Sequence, residues 1–191
     1  YEDFLTNPVQ IGTTILGENA NDKLGYSISS NETGNIIAVG VPNFANGKGR
    51  VKILKYNSGT NAWDDYGNSI NGPNDGEEFG TSVSLSGDGS VLAVGILKYN
   101  TSTGQVKIFN HNSINSTWDL IGTINGDNSA SNPRSVSRDF GADVRLSKDG
   151  KTLAIGDRWY DASKSKIGRV VVYRNQSGTW NILGSNTKIE G

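Results

Sequence analysis

One unit is written three times along this chain, and a tandem repeat constrains a fold more than any single residue can. Gly25, Gly80 and Gly141 set the register, each preceded by a large apolar residue (Leu24, Phe79, Phe140). A serine-rich strand follows each pair, over residues 26–30, 81–86 and 142–147, and a tight turn then ends in Gly34, Gly89 or Gly150. Apolar runs come next (37–40, 92–95, 153–156), then segments opening on Gly49, Gly104 and Gly168. Each unit closes on a tryptophan four residues before a glycine: Trp63 and Gly67, Trp118 and Gly122, Trp180 and Gly184. A period of about 55–61 residues holding several short strands is that of a propeller-type array. Function is then to be sought in what varies between the copies.

Side-chain alternation within each unit has period two. Val51 and Ile53 alternate with Arg50, Lys52 and Lys55, and Val106 and Ile108 with Gln105, Lys107 and Asn110, the pattern of a strand with two unlike faces. The apolar runs suit an inner strand held between neighbouring sheets, with small Ala38, Ala93 and Ala154 where those sheets converge. No window carries a 3.6-residue period, so no helix of consequence is expected. The prediction is an all-β, β-propeller-type array of three four-stranded antiparallel blades plus one surplus N-terminal strand. Residues 1–16 read as the fourth strand of a preceding blade, because Gln10-Ile11-Gly12 matches that segment with Pro8 in the tryptophan place. Blades follow over 17–71, 72–125 and 126–191.

Composition narrows the function. The 18 Lys and Arg balance 19 Asp and Glu and are scattered, which argues against nucleic-acid binding. No apolar run reaches membrane-spanning length, so no membrane insertion is expected. There is no cysteine, which removes disulfides, thiolate chemistry and cysteine zinc sites. The absence of methionine, an initiator included, is read as the mark of a processed product or excised segment. Four glycosylation sequons, at Asn31, Asn100, Asn115 and Asn175, fall in expected turns or loops.

The unit resembles the FG-GAP repeat. The repeat's pattern of tryptophan, Phe-Gly pair, hairpin glycine and apolar strands runs from Trp63 to Gly72, then through Phe79-Gly80 to Gly89, Leu92 to Gly95 and Gly104 to Phe109. The resemblance covers almost the whole chain and implies blades of an integrin-α-type propeller, an extracellular ligand-binding and adhesion module. It also implies long acidic calcium loops in some blades. Here the hairpins are only Ser86-Gly87-Asp88-Gly89, Ser147-Lys148-Asp149-Gly150 and Asn31-Glu32-Thr33-Gly34, too poor in carboxylates for the six to eight oxygens calcium takes. No calcium or other cofactor is expected. The acidic group Asp75, Glu77 and Glu78 reads as a solvated turn.

By the same resemblance, ligand contacts come from loops between second and third strands and between blades. The candidate residues are Phe44, then Tyr99 with Asn100, then Arg158, Trp159 and Tyr160 with Asp161, since an aromatic recurs in each loop. Folding over the blade edge as a minor core is the competing reading. The long link from Asp127 to Asp139, with Arg134 and Arg138, is a second candidate. His111, the single histidine, reads as a solvated turn residue, and no nucleophile elbow, P-loop or dinucleotide fingerprint is present. The chain is therefore expected not to be an enzyme. The expected role is non-catalytic binding of a protein or carbohydrate ligand at a cell or particle surface. The alternative is a structural component of a virion or surface layer. Three blades leave two open faces, so neighbouring blades or other chains are expected to complete the ring.

Overall fold

The computed structural model describes residues 9–127, 135–136, 139–162 and 167–184. In it the repeats are three antiparallel sheets, each built in sequence order. Blade 1 holds β1 (Ser27–Ser30), β2 (Ile36–Val41) and β3 (Arg50–Asn57), with β4 (Ala62–Asp65) and β5 (Ile70–Asn71) both paired to β3. Blade 2 holds β6 (Phe79–Leu85), β7 (Val91–Ile96), β8 (Gln105–Asn112) and β9 (Thr117–Asn125). A short strand, β10 (Ser135–Val136), precedes blade 3. Blade 3 holds β11 (Phe140–Leu146), β12 (Thr152–Asp157), β14 (Arg169–Gln176) and β15 (Thr179–Ile182). Its loop adds β13 (Asp161–Ala162), which pairs with β10. β4 and β5 are two halves of the fourth strand that blade 2 carries unbroken as β9. The four-stranded plan read from the sequence is the plan of the molecule.

The blades pack face to face. The trailing face of blade 1 (Ile36, Ala38, Val51, Ile53) meets Phe79, Val83, Leu92 and Val94 of blade 2 in one core. The trailing face of blade 2 (Ala93, Val106, Ile108, Ile124) meets Phe140, Val144, Leu153 and Ile155 of blade 3 in a second. Burying such side chains supplies about 1.5–3 kcal/mol each. Close approach depends on Gly40 and Gly95. A Cβ on either would stand 2.0 or 2.2 Å from the carbonyl oxygen of Gly80 or Gly141 in the next blade.

The serines explain themselves at these joins. The Ser27 hydroxyl donates to the Gly80 carbonyl (2.8 Å), and Ser29 accepts from the Leu85 N–H (3.0 Å). One blade on, Ser82 donates to Gly141 (2.7 Å), and Ser84 accepts from Leu146 (2.9 Å). Edge groups of the first strands of blades 2 and 3, which a sheet would leave unpaired, are thus satisfied by the preceding blade.

The tryptophan and glycine of a unit do not serve each other; the glycine seats the tryptophan of the next blade. A Cβ on Gly122 would lie 2.8 Å from the Trp180 ring, and one on Gly67 3.1 Å from Trp118. The Trp118 indole N–H also donates to the Tyr66 carbonyl (2.9 Å). Gly12 stands to Trp63 in the same way, with a Cβ distance of 2.8 Å, and the Trp63 N–H donates to Ile11 (3.2 Å). Pro8 lies outside the described residues.

His111 departs from its expected place. It is a strand residue of β8, stacked on Tyr66 at 4.1 Å and 5.2 Å from Trp118, in the seam between blades 1 and 2. Burial, then the charge of Lys55, pushes its pKa below the ordinary value. Register explains the error: polar Asn110 and Asn112 flank it, but alternation turns those two away from the seam. Asn31 is likewise buried, because its side-chain oxygen accepts the Ile36 N–H (2.9 Å) and its amide is bonded to Asn35 (2.9 Å). It is part of the hairpin, not an open sequon.

Candidate functional site

Antiparallel order puts the second-to-third-strand loops and the blade links at one end of every sheet, and the first hairpins at the other. The two ends are built differently. At the hairpin end short turns interlock: the Glu32 N–H donates to Gly87 (3.0 Å), the Gly87 N–H to Lys148 (2.8 Å), and Lys148 pairs with Glu32. The loop end carries the variation between copies.

In blades 1 and 2 the loop is a single left-handed turn, Phe44–Gly47 and Tyr99–Ser102. Ala45, Asn46, Asn100 and Thr101 all have φ between 45° and 59°, a conformation that costs an L residue about 1–2 kcal/mol. Blade links hold these turns in place. Gly76 and Glu78 donate to Asn46 and Gly47 (3.1 and 2.8 Å), and Asp139 donates to Ser102 (3.0 Å). Beside the first turn a polar groove of about 610 Å³ is lined by Asn19, Asp22, Asn46, Glu78 and Lys98. Sequence reasoning did not find it, because it joins four separate segments, two blade links and the second-to-third-strand loops of blades 1 and 2.

Phe44, Tyr99 and Tyr160 occupy one repeat position, three residues beyond the strand pairs Val41–Arg50, Ile96–Gln105 and Asp157–Arg169. Each leans on its own blade. The Arg50 guanidinium lies 3.5 Å from the centre of the Phe44 ring, Tyr99 packs on the core of blades 1 and 2, and Arg169 lies 3.8 Å from the Tyr160 ring. Tyr160 is only 1% exposed. It is not open to a ligand, and its pairing with Trp159 as a contact surface is corrected: Trp159 is 46% exposed and Tyr160 is a scaffold residue. The pattern showed that an aromatic recurs there; it could not show that a third-strand arginine covers it in blades 1 and 3.

Blade 3 diverges beneath this loop. Asp157, fully buried, stands where blades 1 and 2 have Val41 and Ile96. Its carboxylate accepts from the nearly buried Arg169 (3.1 Å), which also donates to Asp127 in the blade link (2.7 Å). Burial, then Asp127, raises the pKa of the neighbouring Tyr173 phenol. Arg158, exposed, donates to Asp139 at 2.7 Å. The loop thus carries two charged groups, the exposed Arg158–Asp139 pair beside the exposed Trp159 in sequence and the buried Arg169–Asp157 pair with Asp127 beneath it. The signal for Asp157 in the sequence is an acid in a repeat column that is otherwise apolar, Val41 and Ile96. Arg134 and Arg138 of the link lie outside the described residues, as does the side chain of Asp161.

Three face-packed, four-stranded sheets of this order define a propeller-type array. Comparison with known proteins agrees. No family model matches the chain, and no curated protein matches it in sequence. Solved structures do share its fold. Sqt1 of Saccharomyces cerevisiae superposes with a TM-score of 0.53 at 13% identity, over 86% of this chain and 35% of that one. A "putative 6-phosphogluconolactonase" of Bacteroides uniformis gives 0.54 at 17% identity, over 83% and 39%. The C-terminal WD40 domain of Sif2 gives 0.50 at 16%, over 81% and 35%. The chain thus spans little more than a third of the length of these propellers.

The expectation that the chain is not an enzyme is corrected by the second of these. The array is also the architecture of chains named for a catalytic activity, so neither the fold nor a missing contiguous motif carries that exclusion. The physical reason is that propeller loops gather side chains from several blades, and such a constellation leaves no short motif in the sequence.

Proposed function

We propose that the chain is a protein-binding segment of a propeller, with its contact surface on the loop end of blade 3. The observation that carries this reading is an exposed Trp159 next to the Arg158–Asp139 pair, on a loop anchored by the buried Asp157–Arg169 pair. Tryptophan and arginine held on a rigid support are the residues that dominate protein interfaces. The strained, cross-braced turns of the neighbouring blades support it too, since order before contact lowers the cost of binding. Within this reading the repeats are of FG-GAP type, on the residues quoted for that resemblance, and the ligand is a surface protein. Capture of a partner by the immobilised chain from extracts of its source tests the proposal. Trp159→Ala should lower capture by about 30-fold, the effect of losing a hot spot of roughly 2 kcal/mol, with the thermal midpoint unchanged. Undiminished capture by Trp159→Ala would refute the assignment, and capture of glycans alone would replace the protein ligand.

A further inference from the structure

The trailing face of blade 3 carries a reversed version of the code that joins the other blades. At both built joins, one first-strand hydroxyl donates to a glycine carbonyl of the next blade and a second accepts an N–H five residues further on. The strand pairs Ser27–Gly40 and Ser29–Ala38, then Ser82–Gly95 and Ser84–Ala93, are matched in blade 3 by Asp143–Gly156 and Arg145–Ala154. An ionised carboxylate only accepts and a guanidinium only donates. The donor position has become an acceptor, and the acceptor position a donor.

The face behind them is open among the described residues. Val51 and Val106 are fully buried at the two joins, whereas Val170, their counterpart, is 42% exposed. A Cβ on Gly156 would meet nothing nearer than Asp143 of its own blade, at 3.7 Å. Asp143 and Arg145 are themselves 63% and 67% exposed, 3.4 Å apart. Blade 1 of a second copy does not fit this face. Its leading edge offers the Gly25 carbonyl, the Ser30 N–H and the exposed Ile28, which is what a serine-bearing blade requires. Against blade 3 it would set acceptor on acceptor and donor on donor, a mismatch that selects against the wrong partner.

Resting on the reading of the chain as a propeller segment, we infer that the trailing face of blade 3 docks a protein strand of reversed polarity. That strand presents a basic side chain opposite Asp143 and a carboxylate opposite Arg145, across the apolar strip of Ala154, Val170 and Val172. Blade 3 is where the serine-coded array changes partner, and head-to-tail pairing of identical chains is blocked there.

Sedimentation velocity of the whole chain at micromolar concentration and low salt tests this with the protein as its own probe. Asp143→Ser with Arg145→Ser restores the serine code, and Tyr26→Lys with Ser30→Glu gives blade 1 the complementary charges. Each pair should strengthen head-to-tail association at least about tenfold over the wild type, as complementary interface charges do. Adding Asp143→Lys with Arg145→Glu to the second pair should abolish it. The inference is overturned if either pair sediments as the wild type does, or if the wild type already associates as strongly. All four positions are exposed, and should one variant fail to fold the other decides. Ser30, Asp143 and Arg145 lie on first strands, Tyr26 just before one, and none belongs to the Trp159 loop, so this outcome is read separately from the capture experiment.

Discussion

Asp157 is where blade 3 parts most sharply from its siblings, and its burial sets the cost of disturbing it. Asp157→Val copies the apolar residue of blade 1 but takes away the buried partner of Arg169 and leaves it the half-exposed Asp127, which should destabilise the chain by up to about 3–5 kcal/mol. Adding Arg169→Gln, the residue blade 2 has as Gln105, should recover most of that loss in a denaturant titration. A double variant as unstable as the single one would mean that Asp157 acts through other contacts. Gly122 gives a purely steric counterpart. Gly122→Ala pushes a methyl group into the Trp180 ring and should cost about 1–3 kcal/mol. Residue identities were more legible than residue roles. The recurring tryptophan and glycine were visible as a spacing, but their partners sit in adjacent blades, and spacing along one chain cannot reveal contact across two.

The first hairpin is the element that the sequence describes best, since turn chemistry is local. In all three copies a side-chain oxygen, of Asn31, Ser86 or Ser147, accepts the N–H five residues on. In two copies an aspartate then collects the turn's remaining donors. The Ser86 hydroxyl holds the Asp88 carboxyl below the ordinary carboxylate value, and Ser147 does the same for Asp149. A depressed folded-state pKa adds stability that is complete above the ordinary carboxylate range and is lost as pH falls through the folded value. The thermal midpoint should therefore fall on acidification from that range downward, and fall less steeply in Asp88→Asn. An equal slope in the two proteins would contradict this role. Because Asp88 is spent on Ser86 and Ser90, a chelator should leave the midpoint unchanged; a drop reversed by calcium would point to ligands elsewhere. The left-handed turns at the other end were not legible, for Ala45 and Thr101 have no local preference for positive φ and are held there by links from the next blade.

Across the whole molecule, polarity runs one way. Blades 1 and 2 each hand hydroxyls forward to the next, a glycine under Trp63, Trp118 and Trp180 locks the outer rim, and residues 9–18 lie on blade 1 much as a fourth strand lies on its successor. Glu18 completes that placement by bridging Arg50 and Lys52 at 2.9 and 3.0 Å. The repeat period made the architecture legible from the start, while the direction of coupling and its reversal at blade 3 needed the register of three sheets together. The most direct test of the array compares Gly95→Ala with Gly156→Ala in thermal unfolding. At Gly95 the added methyl meets the Gly141 carbonyl of the next blade and the Ser82 hydroxyl that bonds it, both at 2.2 Å, and at Gly156 it makes only ordinary contact with Asp143 of its own blade at 3.7 Å. Gly95→Ala should lose about 1–3 kcal/mol or more, seen as a fall of about 2–4 °C per kcal/mol, with Gly156→Ala within about 1 °C of wild type. Equal losses, or a harmless Gly95→Ala, would contradict the blade-to-blade packing on which the account stands.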